Sequence, residues 1–434
     1  MLKRIPLHQL RIGMYIAGID GSWLRTPFLT HRFLVQTVEQ IERLQRSNVQ
    51  AVDIDPSKGL DVTPAPIAEE LLHSNSLYPS TQTPTAPDAP RSSVPITDIA
   101  LRAIRPLTSI QASPASDAPR SPDTLNLELA IAQETRDRLV RSVKIAFDRI
   151  RETGVISPEP IHETVQEVIL VTRTRSTHSL FRAVSQERSF DPSLSDHSLT
   201  VCMLAMIMGR ALGYGPIQLS ELGSGALLHD VGHLQLPLQL LHSSAPLSGK
   251  DLGAFRLHPQ IGSIMIEAQA EFPQAVCRIA AEHHVTPDGR GYPPDISADS
   301  IAEASRIAMI ADRYDELRNE FGGLRPLSSH KAIQQLFQDG ELGRLDLRLV
   351  SLFISLVGIY PVYSFVELNT KERGMITTIN PATLHQPIVA LIYDETGSPY
   401  GNPLTVDLSE PNQPLTRSIK CVIPSESWGA SRAA

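Results

Sequence analysis

Seven residues of types that hold divalent metal ions follow one another in the order His197, His229, Asp230, His258, His283, His284 and Asp312. Neutral imidazole and carboxylate together suit first-row divalent metals, and ligands spread over several helices are how helical bundles build dinuclear sites. Asp230 is the natural bridge, because a carboxylate can give one oxygen to each of two cations whereas one imidazole nitrogen cannot. Two metals about 3.5–4 Å apart can bind both the attacking and the leaving oxygens in phosphoester hydrolysis. Water between the ions is then the nucleophile, and no Ser or Cys nucleophile is required. Nothing else in the chain resembles a nucleophile elbow or a phosphate-cradling glycine loop. A histidine taken singly is more often a core or surface residue than a ligand, and His31, His162, His178, His242 and His330 are read that way because they have no partner pattern.

The elements that must carry these residues read as a mainly α fold. At 434 residues the chain suits two or three domains. Residues 1–60 read as a small α/β unit: an apolar run around Ile12 to Ile19, a helical stripe of Leu34, Val38, Ile41 and Leu44, then Ala51 to Asp55. Tyr15, Trp23 and Phe28 are assigned to its core, since so short a unit needs its aromatics inside. Residues 61–122 are rich in Pro, Ser and Ala and poor in aromatics, the composition of a disordered linker. A helical domain over 123–375 follows, opened by Asp123 as a cap and by a stripe of Leu139, Val143, Ala146, Phe147 and Ile150. That stripe is expected to pack on its own domain. The apolar stretch from Leu349 to Val366 contains Gly358 and Pro361, so it reads as a buried helix and a turn rather than a bilayer span. Strand periodicity appears after Pro361, and residues 376–434 are read as a small β-rich extension.

Bulk composition narrows the partners. A formal net charge of -8 argues against a protein that neutralises many phosphates of a nucleic acid polymer. A small anionic ligand remains open, because a metal or Arg cluster can outweigh the global sign. Three separated cysteines offer no disulfide framework or zinc ribbon and fit a reducing compartment. The N-terminal residues lack the apolar core of a signal peptide, so a cytoplasmic location without membrane association is expected.

Five segments, LLHDVGHLQLP (227–237), RLHPQIG (256–262), AEHHVTPDGRGYP (281–293), IAMIADRYDEL (307–317) and VGIYPVYSFVEL (357–368), resemble the HD-GYP phosphodiesterases in order and spacing. LRIGMYIAGIDGSWLRTPF (10–28) is similar to the small domain that often precedes them. The resemblance implies an all-helical HD fold, two iron or manganese ions, and hydrolysis of cyclic di-GMP to linear pGpG or GMP in bacterial second-messenger signalling. Carried over by position, His197, His229, Asp230 and Asp312 would hold one metal, and Asp230, His258, His283 and His284 the other. Asp230 and His233 are the catalytic candidates. His233, the loop Asp288-Gly289-Arg290-Gly291-Tyr292-Pro293 and Arg325 are the substrate-binding candidates. The loop could also dock other signalling proteins, and a homodimer is compatible with the family.

Several positions depart from the family. The usual Lys after the HD pair is His233, a weaker and pH-dependent cation. The Glu usually following the paired histidines is Val285, which removes a carboxylate that would orient those imidazoles. The basic segment after Asp312 is reduced to FGGLRPLSS, with Arg318 or Arg325 as substitutes, and the glycine expected after Tyr360-Pro361-Val362 is Tyr363. Ser193 offers no carboxylate for a third metal. Asp315, one turn after Asp312, could support the site, but a solvated or capping role is the preferred reading. These departures motivate a second reading, a catalytically weak cyclic di-GMP sensor or protein-interaction module. A third is a hydrolase of another nucleotide or phosphoester.

Overall fold

The computed structural model describes residues 2–6, 10, 14–19, 33–35, 51–58, 122–185, 193–237, 240, 247, 249–319, 326–411 and 416–423. The chain divides into a unit at Met1–Ser74 and a larger one at Asn75–Ala434. Trp23, Phe28, His31, His242, Arg325, the linker segment up to residue 121 and most of the helical stripe read near residues 34–44 lie outside the described residues.

In the small unit β1 (Lys3–Pro6), β2 (Tyr15–Ile19), β3 (Phe33–Leu34) and β4 (Ala51–Ile54) form an antiparallel sheet in the order β1-β4-β2-β3. Ile5, Met14, Ile16, Val35, Val52 and Ile54 are its buried residues. Leu34, assigned above to a helical stripe, is instead a strand residue paired with Tyr15. Tyr15 is only partly buried, and Lys58 Nζ lies 5.4 Å above its ring.

The larger unit is helical up to Val357. Helix α1 (Pro122–Thr153) starts at the proline itself, so Asp123 lies inside the first turn, where its charge favours the positive end of the helix dipole. Leu139, Val143, Phe147 and Ile150 are buried on one face. Helices α2 (Pro158–Thr174) and α3 (Thr177–Val184) follow, then α4 (Leu194–Ala211), which is buried on nearly every side because its sequence from Leu199 to Met208 is almost continuously apolar. Ser193 caps α4 by accepting from the Asp196 amide at 3.3 Å. Around α4 stand α5 (Pro216–Leu228) and α9 (Glu303–Arg318), and α8 (Gln274–Glu282) packs on α5 and on α7 (His258–Glu267). The short α6 (Gly249–Phe255) leads into α7, and α10 (Ser329–Glu341) and α11 (Leu347–Val357) close the helical part. Asp346 caps α11 by accepting from the amides of Arg348 and Leu349.

A five-stranded antiparallel sheet follows, with β5 (Phe365–Leu368), β6 (Arg373–Thr378), β7 (Ile388–Tyr393), β8 (Pro399–Asp407) and β9 (Ile419–Ile423) in the order β8-β7-β6-β5-β9. Strand β6 runs through residue 375, where sequence reading placed the end of the helical domain, so the sheet begins ahead of that position, at Phe365. Leu125 of α1 packs with Val362, Tyr363, Met375 and Ile379 where helices meet sheet. Tyr363 stands there with φ 71, the left-handed region that suits the glycine expected at this position. Its hydroxyl lies 2.9 Å from Ser179 Oγ and donates to the Leu125 carbonyl at 3.0 Å, contacts a glycine would lack.

Candidate metal centre

The seven donors are delivered by helix ends and by two buried helix interiors. His229 follows Leu228 as the C-cap of α5, and Asp230 is the N-cap of the short 3-10 turn Val231–Gln235. His258 is the first residue of α7, His283 and His284 follow the end of α8, His197 lies in the first turns of α4, and Asp312 lies within α9. One close approach brings the HD turn against α7: a Cβ on Gly232 would stand 2.1 Å from the His258 carbonyl oxygen, so no larger residue fits there without moving a metal-bearing segment.

Asp230, His258, His283 and His284 offer one ligand atom each within 4.8 Å of one another, and His197, His229 and Asp312 do the same. Asp230 faces both sets. Its Oδ1 is 3.1 Å from His258 Nε2 and 3.3 Å from His283 Nε2, while Oδ2 is 3.4 Å from the Nε2 atoms of His197 and His229. Asp312 Oδ1 is 3.3 Å from His197 Nε2, and its Oδ2 is 3.9 Å from His284 Nδ1.

The outward nitrogens fix the tautomers. His229, His258 and His283 donate Nδ1–H to the carbonyls of Ala226, Phe255 and Ala280, each at 2.8 Å and each three residues earlier. A carbonyl can only accept, so Nδ1 carries the proton and Nε2 presents its lone pair inward. His197 does the same against a carboxylate, with Nδ1 2.7 Å from Asp315 Oδ2. Asp315 is 2% exposed and is therefore not the solvated cap read from sequence. Beside Val285, the Ala280 carbonyl orients His283 of the histidine pair, and the Phe255 carbonyl orients His258. The buried acid beside the histidine pair is Glu282, which accepts from Arg278, the Ala302 amide and Ser305 Oγ and so ties α8 to the start of α9.

The inward Nε2 edges thus converge on a buried interior. Nε2 atoms approach to 3.1 Å between His197 and His229 and to 3.2 Å between His258 and His283, and buried Asp230 Oδ1 accepts no hydrogen bond of good geometry. Such a cluster is costly unless a cation fills it, and its imidazole and carboxylate donors fit first-row dications. Burial opposes charge on Asp230, yet His229, His233 and His258 outweigh it and hold the carboxyl well below its usual range. Burial also opposes protonation of His197, but Asp230, Asp312 and Asp315 raise it well above 6.5. For His284 burial and the neighbouring His283 and His258 act together, keeping the ring neutral.

His233 lies within the centre. It stacks on His258 with ring centroids 3.8 Å apart, and burial followed by the charge of His258 holds it well below 6.5. Its ring forms a buried layer against His258, a setting that disfavours the charged form expected of it from sequence. In the Gly-Tyr-Pro loop, Tyr292 lies 4.6 Å from the His284 ring, and its amide donates to the His284 carbonyl at 3.0 Å. A Cβ on Gly291 would stand 2.1 Å from that same carbonyl, which is why glycine is needed beside the donor. Pro293 is buried behind a cis peptide bond. Asp288 is spent on its own loop, accepting from Thr286 Oγ1 at 2.6 Å and the Arg290 amide at 3.1 Å. Gly289 takes φ 71 in that turn, and Arg290 is 81% exposed. Arg318, offered above as a substitute cation, is 3% exposed and donates to the carbonyls of Ser185 and Leu327. Two residues that sequence reading passed over border the centre. Arg256 holds its guanidinium 5.3 Å above the Tyr292 ring. Burial and the Asp312 charge push Glu316 up to about 7. Glu316 could have been found as the i+4 neighbour of Asp312 on one helix face.

Comparison with known families places this constellation. A family model described as HD domain matches residues 178–349, which include all seven donors. The chain carries an HD domain. Residues 2–161 match a domain of unknown function, DUF3391, which spans the small N-terminal unit and continues into the first helices of the larger one. A cyclic di-GMP phosphodiesterase of Pseudomonas aeruginosa is 28% identical over 429 residues, 99% of this chain and 94% of that protein. A cyclic di-GMP phosphodiesterase of Borreliella burgdorferi is 26% identical over 45% of this chain and 51% of its own length. A 3'3'-cGAMP-specific phosphodiesterase of Vibrio cholerae is 29% identical over 28% of this chain and 23% of its own length. Among the described residues, no helix of the HD-domain chain is long and apolar enough to cross a membrane.

Proposed function

We propose that this HD-domain chain is a metal-dependent phosphodiesterase that hydrolyses cyclic di-GMP to linear pGpG or GMP in bacterial second-messenger signalling, in the cytoplasm. The observation that carries the reading is the pair of donor sets sharing Asp230, with every outward imidazole nitrogen of His197, His229, His258 and His283 already satisfied. The near full-length likeness to a cyclic di-GMP phosphodiesterase supports the substrate. His197, His229, Asp230 and Asp312 would hold one ion and Asp230, His258, His283 and His284 the other, with iron or manganese suited to the mixed nitrogen and oxygen donors. Two such ions supply an activated water and neutralise charge on the scissile phosphate. The protein residues fix the donor tautomers and bury the donors, with the Tyr292 ring 4.6 Å from that of His284.

Protein purified without air, analysed for metal and assayed with cyclic di-GMP, tests this. About two ions per chain and release of linear product are expected. Metal-loaded protein that releases none, indistinguishable from a His229→Ala variant, would overturn it. A second reading, a weakly catalytic sensor or a docking module using the Gly-Tyr-Pro loop, is favoured by the buried His233 ring, stacked on His258, at the usual Lys position and by exposed Arg290. Restoring Lys at 233 and Glu at 285 separates the two, since a large gain in rate would mark the native pocket as degenerate. A substrate panel including 3'3'-cGAMP reads out the choice of dinucleotide.

A further inference from the structure

We propose that Arg256 is the cation that recognises the second phosphate of a cyclic dinucleotide whose first phosphate lies at the metal centre. The inference rests on the function proposed above and deepens it.

A substrate with two phosphodiesters brings two negative charges, of which the metals meet the reacting one. The other needs a cation close by, and the ring of residue 233 is buried and stacked on His258 with centroids 3.8 Å apart, away from any such contact. Among the described residues, Arg318 is buried on two carbonyls, Arg313 is paired with Asp339 and Glu316, and Arg290 is 81% exposed with Nε 3.9 Å from Asp288 Oδ2.

Arg256 is placed differently. It sits between α6 and α7, two residues ahead of His258, with its guanidinium 5.3 Å from the centroid of Tyr292. That ring in turn lies 4.6 Å from His284 and 6.1 Å from His258, so the cation is one aromatic layer away from the second donor set. Among the described residues its side chain pairs with no carboxylate, and it is partly exposed. Stacking on an aromatic face orients the guanidinium plane and leaves its N–H edges for an anion, and bidentate Arg–phosphate pairing is a strong charge-assisted contact.

The test compares two ligands on the metal-loaded full-length protein. Equilibrium binding of a slowly cleaved phosphorothioate analogue of cyclic di-GMP is measured for wild type, Arg256→Met, which keeps the apolar stem on Tyr292, and Arg256→Lys, which keeps the charge. Turnover of cyclic di-GMP is set against turnover of bis(p-nitrophenyl) phosphate, which has a single phosphate. Arg256→Met is expected to weaken analogue binding at least about ten-fold, the loss of one charge-assisted phosphate contact. Arg256→Lys should recover most of it. The loss in kcat/KM should be about ten-fold larger on cyclic di-GMP than on the single phosphate and should fall on KM. Equal losses on both substrates, or Arg256→Met binding the analogue like wild type, would overturn the proposal while leaving the proposed function standing. A wild type that cleaves bis(p-nitrophenyl) phosphate but neither binds nor cleaves cyclic di-GMP would overturn both.

Discussion

Asp230 and Glu372 are both buried carboxylates of the larger unit, and they are furnished in opposite ways. Glu372, beside the start of β6, is 2% exposed and accepts from Arg417 Nε at 2.7 Å and Nη2 at 3.0 Å, from Thr370 Oγ1 at 2.6 Å and from Tyr400 at 3.1 Å. Its charge is balanced and both oxygens are occupied by protein donors. Asp230 is surrounded by imidazoles whose protons are committed outward, so its Oδ1 accepts nothing and neighbouring lone pairs face each other. A buried polar cluster complete in itself is structural, whereas one left open by its own tautomers is a receptor for cations. The same contrast separates the donors from the loop beside them. Asp288, also in the signature region, is satisfied by its own turn and has no oxygen committed to the centre.

The largest effect should come from breaking the open cluster. Asp230→Asn leaves the shape but removes the shared anion. Metal content should drop from about two ions per chain, and turnover should fall by more than about 100-fold, beyond the range for outer-shell partners. Full metal occupancy in this variant would show that Asp230 does not bridge. Asp315→Asn, which weakens only the orientation of His197, should cost about 10–100-fold in metal affinity or rate, read by metal titration. Gly232→Ala probes the close approach, since its Cβ would meet the His258 carbonyl. It should destabilise the fold by about 2 kcal/mol in denaturant unfolding and lower metal retention as α7 moves.

The donors were legible in the sequence because each type and its spacing survive without knowledge of packing, and the mainly helical architecture was legible because α4 and α11 carry unbroken apolar patterns. What supports the donors was not. Carbonyl acceptors at Ala226, Phe255 and Ala280 exist at every helix end and have no residue signature, so the backbone support of His283 was not visible beside the missing Glu at 285. Asp315 is a helix-surface residue by spacing and becomes buried only when α4 packs on α9. Tyr363 reads as a departure from a glycine position, yet its hydroxyl joins α1 and α3 at the edge of the sheet, a link made through residues far apart in the chain. His233 reads as a cation by residue type, and only the packing of His258 and Phe255 around it shows how deeply its ring is buried.

The smallest effect should come from the closed cluster, and it should be confined to stability. The side-chain hydrogen bond from Arg417 is the main cause holding the Glu372 carboxyl below its ordinary value of 4.5. A depressed carboxyl pKa contributes stability that is fully present above the unfolded value and is lost as the pH falls through the folded one. Glu372→Gln should therefore lower unfolding free energy by about 1.5 kcal/mol at neutral pH, the scale of a hydrogen bond to a charged group. The gap between wild type and variant should be constant above pH 4.5 and narrow below it. Metal content and turnover should match wild type, because none of the partners of Glu372 touches the donor sets. Loss of metal in Glu372→Gln would mean that the sheet and the centre are coupled, and the distinction between a satisfied cluster and an open one would then not separate structural from functional carboxylates in this chain.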